Sequence, residues 1–341
     1  MKIIISRTDK IGDLILSIPS FYMVRKMFPK SEITVLVRKY NYEIVKNLPY
    51  IDRVVKIDDY RQKELLEKIK YFNADIFIGL YVDKFVAKLA KASGAIVRIG
   101  PLSKLYSFFA FNRGVFQRRS KSIKHEAEYN LDLIKKIDPE KFNENFEINT
   151  EIILEPKHRL AADTFFKENN IKENTLVINP FMGGSAKNIT DEEYGSLIRK
   201  FKDEHEDFDV IITAHISDEK RGIDLLKTIG RPGVYLYANG GELLNIGAII
   251  EKGTLYFGGS TGPTHIAGSL QKPIVAIYPN KPTQSPKRWG IFGNENVDYI
   301  IPDINNKKEN YSRENFDTYG EKEEREILDK LSEKISQLEV K

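Results

Sequence analysis

Short, largely apolar runs separated by stretches of helical period recur along this chain, and they recur in two series. The first comprises residues 2–6, 33–37, 54–57, 76–80 and 96–99, with helical spacing between them over 14–27 and 63–71. The second begins at 176–179 and continues through 210–214, 234–237, 255–257 and 273–278, with helices predicted over 191–204, 218–229 and 241–252. Runs without polar alternation suit strands covered on both faces, and strands alternating with helices make parallel, doubly wound sheets. At 341 residues with 41% hydrophobic content the chain is long enough for two such domains. The expectation is an α/β protein with domains at 1–155 and 156–315. A charged segment, 316–341, follows, and its last helix (Ile327, Leu328, Leu331, Ile335, Leu338) is expected to pack back on the first domain.

In sheets of this kind ligands collect at the carboxyl ends of the strands. Three loops there draw attention. The stretch L-Y-F-G-G-S-T-G-P-T-H-I-A-G-S-L, 255–270, is a strand, a glycine-rich turn and a helix start. Its glycines allow positive φ and close ligand approach, Pro263 suits a first helical turn, and the helix N-terminus favours an anion. A phosphate-binding turn is the simplest reading, and it places His265 beside the phosphate. The loop 179–187 holds Gly183, Gly184, Ser185 and Lys187, groups a diphosphate needs, without the P-loop spacing. A surface loop remains open as the alternative. In R-T-D-K-I-G-D, 7–13, Gly12 permits a tight turn and Asp13 begins a helix. Asp13 reads either as an N-cap, slightly favoured, or as a general base facing a cleft.

Charge is split along the chain. Residues 1–150 hold 28 Lys and Arg against 18 Asp and Glu, a net of +10, and residues 151–341 hold 25 against 31, a net of −6. Between Lys84 and Lys124 there are ten cations and no acid, interleaved with Tyr106, Phe108, Phe109, Phe111 and Phe116. Such a block attracts an anionic partner: nucleic acid, a lipid surface or an acidic glycan. The histidines show no metal-ligand spacing, so no metal is expected. Asp207-Phe208-Asp209 spells a D-x-D but precedes a strand, and reads as a solvated turn. Absence of cysteine excludes disulfides and thiolate chemistry. No run approaches a membrane span and no signal peptide is apparent, which points to the cytoplasm.

R-T-D-K-I-G-D-L-I-L-S-I-P-S at 7–20, K-H-E-A-E-Y-N-L-D-L-I at 124–134 and G-G-S-T-G-P-T-H-I-A-G-S-L at 258–270, followed by R-W-G at 288–290, together resemble the bacterial ADP-heptose:lipopolysaccharide heptosyltransferases. The resemblance runs from about residue 1 to residue 300. It implies a GT-B fold, two Rossmann-like domains facing across a cleft. It implies metal-independent, inverting transfer of heptose or a related sugar from an ADP-sugar, the donor substrate, to an inner-core lipopolysaccharide acceptor, with no cofactor. Asp13 then matches the general base; Ser185 and Lys187 match the loop holding the donor diphosphate; Ser260, Thr261, Gly262, Pro263 and His265 match the phosphate-binding turn. The basic segment, with Lys84, Arg113, Arg118, Arg119, Lys121, Lys124 and His125, would bind the anionic acceptor at the inner face of the inner membrane, as a peripheral protein. Many relatives carry Asp where Ser260 stands, and an aromatic residue where this chain has Ile189.

The rival reading is a non-catalytic sugar-nucleotide or glycan-binding protein on the same scaffold, or a GT-B transferase with another donor sugar. A dehydrogenase is disfavoured, since the first strand is not followed by G-x-G-x-x-G. Nucleic-acid binding would explain the basic block alone and leave the other loops unexplained.

Overall fold

The computed structural model describes residues 1–182, 186–303, 316 and 318–339. The chain divides into two compact units, Met1–Ile153 and Leu154–Lys341. In the first, strands β1 (Lys2–Ser6), β2 (Glu32–Val37), β3 (Arg53–Lys56), β4 (Ile76–Gly79) and β5 (Val97–Ile99) pair in the order β3-β2-β1-β4-β5, every pair parallel. In the second, β6 (Thr175–Asn179), β7 (Asp209–His215), β8 (Val234–Asn239), β9 (Leu255–Gly259), β10 (Ile274–Ile277) and β11 (Val297–Ile300) pair in the order β11-β10-β9-β6-β7-β8, again all parallel. These are two Rossmann-like doubly wound sheets. Their apolar strands are buried on both faces because crossover helices cover both. One core gathers Ile4, Leu36, Val55, Phe77, Val86 and Leu89; another gathers Ile178, Val210, Ile212, Phe257, Val275 and Leu331.

Three local departures from the expected elements have physical causes. The period over 14–27 belongs to two helices, Ile11–Ile15 and Ile18–Met27, because Pro19 occupies the first turn of the second, where it lacks an N–H to continue the first. The edge strand β11 escaped notice: Val297, Asp298 and Tyr299 are only half-buried, so its apolar signal is weak. The C-terminal helix, Glu321–Glu339, buries Ile327, Leu328, Leu331 and Ile335 in the second unit's own core. Its expected place on the first domain is therefore corrected. Lys334 fixes it there: its Nζ lies 2.7 Å from Asp298 Oδ2 and donates to Asn296 Oδ1 at 2.7 Å, both beside or within β11.

Leu331 is fully buried in this contact. Leu331→Ala is expected to destabilise the second unit by about 2–5 kcal/mol through lost burial and the cavity left behind. Urea denaturation reads this. An unchanged midpoint would show that the helix is an appendage.

Candidate active site

Each sheet reverses its winding at one point. In the first unit the chain steps outward from β1 to β2 and β3, then crosses to β4 and β5 on the other side. In the second it steps from β6 to β7 and β8, then crosses to β9, β10 and β11. A crevice opens outside the carboxyl ends of the two strands flanking each reversal. The loop after β1 lies at the first of these and the loops after β6 and β9 at the second. Register brings the last two together, with Asn179 opposite Gly258.

At the first crevice the sequence delivers a buried cation. Arg7, the residue after β1, is 1% exposed and spreads its guanidinium over three carboxylates and an amide. Nε donates to Asp9 Oδ1 at 2.7 Å and Nη2 to Asp13 Oδ1 at 2.7 Å. Nη1 donates to Glu126 Oε1 at 3.3 Å and to Asn130 Oδ1 at 3.1 Å. Burial alone would lower the Arg7 pKa, but the three carboxylates outweigh it and hold the pKa above its ordinary value. Asp9, half-buried, is pushed up to about 7 by partial loss of hydration, against the opposing pull of Arg7. Asn41 Nδ2 and the Tyr40 hydroxyl both donate to the Asp9 carbonyl and clamp the loop.

Asp13 is not a cap. The helix begins at Ile11 with Lys10 at the N-cap, and Asp13 lies in its first turn with its carboxylate on Arg7 and 15% exposed. Its carbonyl accepts from Ser17 Oγ at 2.8 Å, and Ser17 Oγ accepts from Asn130 Nδ2 at 3.2 Å. One oxygen of a carboxylate fixed at both ends is thus committed to Arg7, in a partly open position from which a proton acceptor can work. Gly12 sits inside this helix, and its φ is not among the positive values.

Arg7, Asp9, Glu126 and Asn130 were missed as site residues. A signal existed for two of them: Glu126 and Asn130 lie four apart on the helix Glu126–Lys135 and so share a face. Arg119, expected on an outward basic platform, turns inward instead. It donates to Glu126 Oε1 at 2.5 Å, Gln117 Oε1 at 2.9 Å and Asn130 Oδ1 at 3.4 Å. The attraction of buried Glu126 accounts for this. Lys84, Arg113, Arg118 and Lys121 are exposed. Lys124 pairs with Asp132 at 2.8 Å. His125 caps the following helix, its Nδ1 accepting from the Ala127 N–H while Glu128 accepts from the His125 N–H.

At the second crevice Thr261 is the N-cap of the helix Gly262–Ser269, with Pro263 in its first turn. Thr264, fully buried, ties the turn down through the Gly259 carbonyl at 2.5 Å, Thr261 Oγ1 at 3.0 Å and the Tyr256 hydroxyl at 3.2 Å. The turn is thereby preorganised to present the helix N-terminus to an anion. Lys187 and His265 are both buried, at 9% and 5% exposure. Ser260 lies within hydrogen-bonding reach of the Tyr278 hydroxyl, whose burial raises its pKa. Ser185 falls outside the described residues. Gly258 and Gly259 do not take positive φ, contrary to the expectation. What demands glycine is crowding: a Cβ on Gly259 would stand 2.9 Å from Met182 Sδ and 3.1 Å from Asn188 Oδ1 on the neighbouring loop. Ile189 is core, 2% exposed, and the Trp289 indole donates to the Thr283 carbonyl. Asp209 is no solvated turn residue. It is buried at the start of β7, where it accepts from the Lys172 N–H at 2.9 Å.

Comparison with known proteins bears on the family and the fold. The sequence model of glycosyltransferase family 9 (heptosyltransferase) matches residues 63–319. A protein of Haemophilus influenzae named "Putative glycosyltransferase" is 29% identical over 296 residues, covering 84% of this chain and 85% of its own. Among solved structures, Escherichia coli ADP-heptose lps heptosyltransferase II superposes with a TM-score of 0.81 at 15% identity, covering 99% of this chain and 100% of that one. A glycosyl transferase family 9 protein of Veillonella parvula gives 0.77 at 17% identity, covering 88% and 85%. The E. coli heptosyltransferase WaaC with ADP gives 0.69 at 16% identity, covering 98% and 100%.

Proposed function

The chain belongs to glycosyltransferase family 9 and has the GT-B fold, and on that premise we propose that it moves a heptose, or a closely related sugar, from an ADP-sugar to the inner core of lipopolysaccharide with inversion at the anomeric carbon. The observation that carries the reading is Asp13, fixed on Arg7 at the carboxyl end of β1 and left partly open. An acceptor hydroxyl attacks the anomeric carbon, the bond from that carbon to the diphosphate oxygen breaks with its electron pair, and the hydroxyl proton passes to Asp13. The departing diphosphate is received by the N-terminus of the helix Gly262–Ser269 and by Lys187, which supply the electrostatic stabilisation without a metal or cofactor. Ser185, Ser260, Thr261 and His265 complete the donor site. The outward cations Lys84, Arg113, Arg118, Lys121 and Lys124, with His125, meet the acidic sugars and phosphates of the acceptor.

Among the described residues no helix is long and apolar enough to cross a membrane, and the proposed place of work is the inner face of the inner membrane, as a peripheral protein. That WaaC was solved with ADP supports an adenine donor here. Thermal shifts with ADP, UDP and GDP test this: saturating ADP is expected to raise Tm by roughly 3–8 °C and the other two much less. Equal shifts would remove the ADP-sugar assignment. ADP release that needs both donor and acceptor separates a transferase from a binding protein on the same scaffold.

A further inference from the structure

The short helix Leu105–Ala110 buries Ser107 and Ala110 against the first unit, with buried Phe111 following. Its other face is in open water. Leu105, Phe108 and Phe109, spaced i, i+3 and i+4, are 75%, 49% and 69% exposed. Phe116, 73% exposed, stands edge-on to Phe108 with ring centroids 5.6 Å apart. Four large apolar side chains therefore form one patch, a grouping that marks an interaction surface and not incidental exposure. Its surroundings are cationic: Lys104 immediately precedes the helix, Arg113 and Arg118 are exposed, and no acid occurs from 84 to 124. A groove of about 510 Å³ shares Phe108 with the patch and is lined also by Phe111, Arg113 and Lys136.

We propose that this face docks on an anionic lipid bilayer, with Leu105, Phe108, Phe109 and Phe116 seated at the headgroup boundary, the cations on lipid phosphates and the groove receiving one anionic headgroup. The proposal deepens the transferase reading by naming the surface on which a lipid-borne acceptor is met. Charge decides the occupant. A second copy would set the same acid-free block against itself, and single-stranded nucleic acid needs rings spread along a groove for stacking. Here the rings are gathered with a leucine on one helix face, the form in which apolar insertion and cationic attraction act together at a membrane.

Sedimentation of the full chain with vesicles tests it, using phosphatidylcholine alone or with about one third phosphatidylglycerol. Binding is expected to be at least about tenfold tighter to the anionic vesicles and to weaken as salt rises. Phe109→Ser with Phe116→Ser should weaken it roughly 100-fold, and Lys104→Glu about tenfold. These side chains are exposed, so Tm and the ADP-induced shift should match the unaltered protein. Absence of an ADP shift in the unaltered protein would count against the donor assignment and leave the docking result standing. No binding by the unaltered protein, equal binding to both vesicle types, or variants that bind as well would each overturn the proposal; a surface built for an acidic protein gives the first of these.

Discussion

Asp13→Asn is expected to lower kcat by roughly 10³-fold while leaving ADP binding and stability intact. The substitution removes the proposed proton acceptor and almost nothing else. Asparagine keeps the side chain's size, and its Oδ1 can still accept from Arg7 Nη2, the 2.7 Å contact that orients the aspartate. The Ser17 hydroxyl still donates to the residue 13 carbonyl, so the helix start is undisturbed. The groups proposed to hold the donor diphosphate all lie in the second unit, so the thermal shift with ADP should be that of the unaltered protein. ADP release under saturating donor and acceptor reads the loss. Turnover within a few-fold of normal would remove Asp13 as the base and leave Asp9 as the carboxylate to examine. A large loss accompanied by a lowered Tm would mean instead that the residue is structural.

Much of the fold was legible because parallel strands buried on both faces are written as unbroken apolar runs, such as Ile3–Ile5 and Leu176–Ile178, all essentially inaccessible. Where a strand is only half-covered, as at β11, that signature fades. Periodicity showed that residues 327–338 carry an apolar stripe, but a stripe does not say which core will take it. Charged residues were the hardest to place. Arg7 looks like any loop arginine until Glu126 and Asn130, 119 and 123 residues away in sequence, arrive to partner it. A charge is stable in the interior only with such partners, and the partners are assembled by the fold. Arg119 illustrates the same point in reverse: an excess of local cations suggested an outward platform, and one buried carboxylate was enough to turn it inward. At Gly259 the expected positive φ is absent, and it is side-chain crowding from Met182 and Asn188 that acts there.

Arg7→Ala is expected to have a double effect, on stability and on turnover, and the two can be separated by pH. Without the guanidinium, Asp9, Asp13 and Glu126 remain crowded at the end of β1 with Arg119 still on Glu126, and the loss of a buried ion-pair partner costs about 3–5 kcal/mol. In the unaltered protein desolvation already pushes the Asp9 pKa up to about 7, in spite of Arg7. A carboxylate with a raised folded pKa contributes stability that is complete below its unfolded value near 4 and is lost as pH rises through 7. Removing Arg7 takes away the opposing pull, so the Asp9 pKa climbs further and the variant's deficit is largest at pH 8 and smaller at pH 5. Urea denaturation of both proteins at the two pH values measures this, and a deficit independent of pH would show that Arg7 serves packing alone. Turnover measured where the variant is folded should still fall, by roughly 10²-fold, with the acceptor KM changed less than kcat, because Asp13 has lost the contact that aims it. Arg7→Lys restores a charge but lacks the planar fork that reaches Asp9, Asp13, Glu126 and Asn130 together. It should recover much of the stability and little of the rate, the combination that identifies a positioning residue and that a purely structural arginine would not produce.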